Sequence, residues 1–171
     1  LREAVGRERV IGNIWPYVVL PDGRGVAITQ DYMPLLSPEM YERFELPRVK
    51  RIADAFGGVW IHCCGEYERH FDALARADFT ILGLEIHHPY TSLEKAWTVF
   101  GDRVVYLPYV AQRELSHFDG LEAYVESLAG KPCRRARFWL AACHEEGDAP
   151  RLKRAAARLG GSGSRSTTRK R

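Results

Sequence analysis

Two residues placed two apart, His62 and Cys64, offer an imidazole and a thiol within the run His62-Cys63-Cys64-Gly65. That run reads as the end of a strand, where side chains at i and i+2 share a face. His62 and Cys64 can then converge on one point while Cys63 turns into the packing. Imidazole and thiolate are suitable donors for zinc. A third donor must come from elsewhere, and Cys143, at the end of a later predicted strand, stands in the layer where it is needed. Three protein ligands and an open fourth position are the arrangement of catalytic zinc. A plainer reading stays open here, because a buried cysteine is usually just a small hydrophobe. His87, His88 and His144 also fall at predicted strand ends, where they can support a site or contact a substrate. His70 and His117 fall on a helix or loop and read as surface residues; Cys133, beside Pro132 and Arg134, reads as incidental.

The elements that must position these groups alternate between short apolar runs and longer helical ones. Strands are expected at Gly25–Thr29, Val59–Cys63, Phe79–Ile86, Arg103–Val110 and Arg137–Ala142. Ser37-Pro38-Glu39 is a strong helix start, with a capping serine, a proline at the first helical position and an acid in the first turn. That helix can run to Phe56, with Pro47 expected to break or kink it and Gly57-Gly58 to stop it. Further helices are expected at Glu66–Ala77, Ser92–Phe100, Leu121–Ala129 and Arg151–Leu159. Strands apolar on both faces and separated by helices imply βα units around a parallel sheet. Polar residues gather where those strands end: Gln30-Asp31, His62 to Cys64, Glu85 to His88, Tyr109, and Cys143-His144. Function in parallel α/β folds sits at such C-terminal strand ends.

Composition bounds the answer. At 171 residues and 46% hydrophobic, the chain can bury one real core, and its length suggests one domain. The formal charge of +3 is concentrated in the tail, where Arg165, Arg169, Lys170 and Arg171 stand without an acid. The body is close to neutral, which argues against a specific nucleic-acid face. No apolar run approaches the ~18–20 residues of a membrane helix, and no signal-peptide pattern opens the chain. Four cysteines among many charged helices do not resemble a disulfide framework, so a reducing cytoplasm is expected. Residues 1–24 read as an irregular segment broken by Pro16, Pro21 and Asp22-Gly23. Residues 160–171 read as a disordered basic tail.

Several segments together resemble the uroporphyrinogen-decarboxylase-like superfamily. Asp31 followed by Leu35-Leu36-Ser37-Pro38-Glu39-Met40-Tyr41, and then Leu46-Pro47, is similar to one family segment. His62-Cys63-Cys64-Gly65 resembles the H-x-C-G strand end of the corrinoid-linked methyltransferase branch. Phe100-Gly101-Asp102-Arg103-Val104-Val105 resembles the lead-in to the next strand, and Phe138 to Cys143 the last strand. The likeness spans residues 25–159 in order. It implies the C-terminal portion of a (β/α)8 barrel, with about five βα units, and zinc held by His62, Cys64 and Cys143. It further implies methyl transfer between a corrinoid (cobalamin) protein partner and a thiol or similar small-molecule acceptor. Asp31 and Glu85 then become candidates to orient ligands or move a proton, and His87, His88 and Tyr109 to contact the cofactor or substrate.

The chain departs from that pattern where substrate would bind, with Glu85 and His87-His88-Pro89-Tyr90 after one strand and Leu107-Pro108-Tyr109 at the next. A full barrel typically needs about 250 residues. A piece beginning at Leu1 is therefore expected to be a fragment missing its N-terminal half, to pair with another chain, as in a homo-oligomer, or to be only marginally stable. A metal-free decarboxylase-type lyase and a non-catalytic barrel module are the competing readings.

Overall fold

The computed structural model describes residues 20, 24–109, 112–129, 137–138, 150, 154 and 157. Five strands form one sheet in sequential order: β1 (Val26–Thr29), β2 (Val59–His62), β3 (Ile81–Ile86), β4 (Val105–Pro108) and β5 (Arg137–Phe138). Every neighbouring pair is parallel. Sequential order with parallel pairing needs a crossover between each pair of strands, and the helices supply it. These are α1 (Leu46–Phe56), α2 (Phe71–Arg76), α3 (Leu93–Phe100), a short α4 (Gln112–Leu115) and α5 (Gly120–Ala129). The expected βα alternation is present in an α/β fold. Of the expected last strand only Arg137–Phe138 is described; most of the expected Arg151–Leu159 helix, residues 1–19 and the basic tail lie outside the described residues.

Strand parity divides the sheet into two faces. Val59, Ile61 and Cys63 from β2 and its end, with Leu84, Ile86 and Tyr106, join Val49, Ala53, Phe71, Leu74, Leu93, Ala96, Phe100 and Tyr124 in the main core. The opposite face carries Ala27, Trp60 and Leu107 beside Leu20. His62 and Glu85 lie on this second face by the same alternation. Between β2 and β3 the register shifts at Val59/Trp60, and Trp60 lies directly over Gly83. A Cβ on Gly83 would stand 2.3 Å from the indole ring, so this close approach requires glycine.

The helical run leading into α1 starts with the expected capping at the turn Pro38–Met40, where Ser37 Oγ accepts from Met40 N at 3.2 Å. Pro47 neither breaks nor ends the helical run. A π-helical turn, Tyr41–Glu45, precedes it, and Leu46 N–H donates to Tyr41 O. The widened turn changes the bonding register just where proline would otherwise remove a donor and crowd a carbonyl. Gly57, at φ 79°, closes α1.

One expectation is corrected. His70 is not a surface residue: it is fully buried, with its Nε2 2.8 Å from Met33 O and its ring 4.8 Å from that of Tyr41. A 3-10 turn at Glu68–His70 precedes α2, and its tighter winding rotates His70 inward relative to an α-helical projection. No helix among the described residues is long and apolar enough to cross a membrane.

Candidate metal centre

The polar strand ends meet at the C-terminal edge of the sheet. Asp31 follows β1, His62 ends β2 with Cys64 two residues on, Glu85 lies in β3 with His87 just after it, and Tyr109 follows β4. Backbone bonds lock these ends together: Gln30 N donates to His62 O at 2.8 Å and Tyr109 N to Ile86 O at 2.9 Å. The Asp31 carboxylate accepts from Cys64 N at 2.7 Å, so the β1 loop holds the cysteine's backbone. Gly65 is needed after it, because a Cβ there would lie 2.3 Å from Pro34 Cγ.

The side chains converge on His62. Its Nε2 is 3.2 Å from Cys64 Sγ and 3.3 Å from Asp31 Oδ1. Its Nδ1 is 2.7 Å from Glu85 Oε1, though off the line that a hydrogen bond needs. The same Glu85 oxygen is 2.8 Å from His87 Nε2. His87 Nδ1 lies 3.0 Å from Glu114 Oε1 and 3.0 Å from Arg113 Nη2. Arg113 also donates to Cys64 O at 3.0 Å and pairs with Glu114 at 2.7 Å. The Tyr109 ring lies 4.6 Å from that of His87.

Burial sets the electrostatics. Glu85 and Glu114 are both fully buried, and His62 and His87 nearly so. Asp31 adds a third carboxylate against one guanidinium, that of Arg113. Burial raises the Cys64 thiol to about 11, and the neighbouring Asp31 charge pushes the same way. Burial also raises the Cys63 thiol, to about 12, as suits a cysteine packed in the core. Burial alone would raise the Glu114 carboxyl, but hydrogen bonds with His87 and Arg113 outweigh it and hold the group low. Glu85 Oε2 is buried without a hydrogen-bond partner, which is costly for a carboxylate.

No protein-family model, curated protein or solved structure matches the chain. The chemistry must therefore be read from the donors themselves. Zinc bonds of about 2.0–2.3 Å at tetrahedral angles place neighbouring ligand atoms about 3.3–3.6 Å apart. The 3.2 Å and 3.3 Å separations around His62 Nε2 are close to that edge length. One ligand atom each from His62, Cys64 and His87 lies within 4.8 Å of the other two. A bound cation would offset the surplus of buried carboxylate and hold the Cys64 sulfur as thiolate. The residues present fit a zinc ion.

The structure thus brings together His62, Cys64, Asp31, Glu85, His87 and Tyr109. It sets His88 apart, with its ring 5.7 Å from that of Phe118 and 6.1 Å from that of Tyr124. Cys143 and His144 lie outside the described residues. Sequence reasoning missed Arg113 and Glu114, which come from α4, a helix too short to show periodicity. The one available signal was their position just after a strand end.

Proposed function

We propose that the chain forms the C-terminal portion of a (β/α)8 barrel whose strand-end cluster is a zinc centre for methyl transfer. The methyl group would pass from a corrinoid protein to a thiol or similar small acceptor. The observation that carries the metal reading is the pairing of His62 Nε2 with Cys64 Sγ at 3.2 Å beside buried, incompletely bonded carboxylate. The five parallel strands in sequential order support the barrel. The specific chemistry rests on the family resemblance of the H-x-C-G strand end.

When bound, zinc lowers the pKa of a coordinated thiol and so supplies a nucleophile near neutral pH. His62 and Cys64 would hold the ion, with Glu85 Oε1 2.7 Å from the Nδ1 of the His62 ring. Asp31, with its side chain 49% exposed, faces solvent and can receive the proton that a thiol acceptor gives up. The Tyr109 ring lies 4.6 Å from that of His87, tilted by 35°. A thiolate ligand suits a reducing compartment such as the cytoplasm.

One observation favours a second reading. His87 bridges Glu85 and Glu114, and such a chain can relay protons without metal, as a decarboxylase-type lyase would require. Metal analysis separates the two. The purified chain should carry stoichiometric zinc that Cys64→Ser abolishes, and should demethylate a methylated corrinoid in the presence of a thiol. A folded chain that takes up no zinc would leave the metal-free reading in its place.

A further inference from the structure

We infer that the third protein ligand of this centre is His87, giving a donor set of two imidazoles and one thiolate, His62, Cys64 and His87. This rests on the metal reading above and assigns Cys143 no part in holding the ion. The three donor atoms lie within 4.8 Å of one another, and all three belong to the ends of adjacent strands, β2 and β3. The two rings are 6.1 Å apart at 73°, an edge-to-face arrangement in which nitrogens of both can turn toward a common point.

Glu114 Oε1 stands 3.0 Å from His87 Nδ1, and Glu85 Oε1 lies between the two rings, 2.7 Å from His62 Nδ1 and 2.8 Å from His87 Nε2. Histidines that ligate metals commonly present their other nitrogen to a carboxylate or carbonyl in this way. Arg113 braces the arrangement by reaching Glu114, His87 and the Cys64 carbonyl. His87 Nε2 lies 2.8 Å from Glu85 Oε1. Binding would exchange that contact for the ion and leave Glu85 Oε1 to His62 alone.

The assignment has a chemical consequence. One thiolate and two neutral imidazoles leave a bound Zn2+ with net positive charge, whereas a second thiolate would cancel it. That positive charge would offset part of the carboxylate surplus of Asp31, Glu85 and Glu114 around the site.

Zinc-edge X-ray absorption on the wild-type, zinc-loaded chain tests this without any substitution. The expected signal is one sulfur scatterer with nitrogen or oxygen neighbours, and two sulfurs would overturn the assignment. In parallel, zinc content should survive Cys143→Ser and be lost in His87→Ala, with circular dichroism confirming that the variant is folded. Loss of zinc from Cys143→Ser, or full retention by folded His87→Ala, overturns the assignment while sparing the metal reading. A wild-type chain that binds no zinc removes both.

Discussion

Glu85 sits between two rings and touches both, so the proposed metal reading gives this one buried carboxylate a testable role. It is 2.7 Å from His62 Nδ1 and 2.8 Å from His87 Nε2. Carboxylates that orient ligating histidines typically contribute about 10–100-fold to metal affinity. Glu85→Gln keeps the shape and an accepting oxygen but removes the charge, so zinc affinity should fall by about tenfold, at the low end of that range. Competition titration against a chelator would measure it, and unchanged affinity would show that the carboxylate does not support the ligand. At this scale strand parity served well. It separated Cys63, buried in the core, from His62 and Cys64 on the opposite face. It could not choose the third ligand, because that depends on which strand end stands nearest in space.

Among the elements, the 3-10 turn at Glu68–His70 connects the site loops to the core. His70 reaches across to Met33 O, in the 3-10 turn Met33–Leu35 that follows Asp31. Burial lowers the His70 pKa, outweighing the hydrogen bond to Met33. The folded protein therefore binds this proton at lower pH than the unfolded chain does. Stability from His70 is complete above the ordinary histidine range near 6.5 and is lost as pH falls through it. The thermal midpoint of the wild type should drop more between pH 7.5 and 5.5 than that of His70→Gln. Parallel pH profiles would show that His70 does not titrate in this way. The predicted helix over Glu66–Ala77 contains α2, whose Phe71 and Leu74 are buried. The surface reading of His70 failed because the 3-10 turn ahead of α2 shifts the angular position of that residue.

For the whole molecule, a metal that binds the folded chain and not the unfolded one adds to stability by mass action. Free zinc at about 100 times its dissociation constant would add about 2.7 kcal/mol. The unfolding midpoint should rise with zinc and return with chelator, and Cys64→Ser should show neither change. A shift of the same size in Cys64→Ser would place the stabilising zinc elsewhere. The proposed linkage has a structural basis: the candidate donors His62, Cys64 and His87 lie at or just past the ends of β2 and β3, where Trp60 packs closely on Gly83. Metal binding therefore draws on the same strand pairing that organises the sheet.

Local physics made much of this legible from the chain alone. Apolar runs of strand length, the Ser37-Pro38-Glu39 helix start and the i, i+2 pairing of His62 with Cys64 each depend on residues close in sequence. They marked out the βα alternation and the approach of His62 to Cys64. The π turn that accommodates Pro47, the inward turn of His70 and the entry of Arg113 and Glu114 depend on what each segment meets across space. Only the tertiary structure decided these, because a parallel sheet aligns strand ends that lie far apart in sequence. Its register determines which of their side chains share a face and reach a common point.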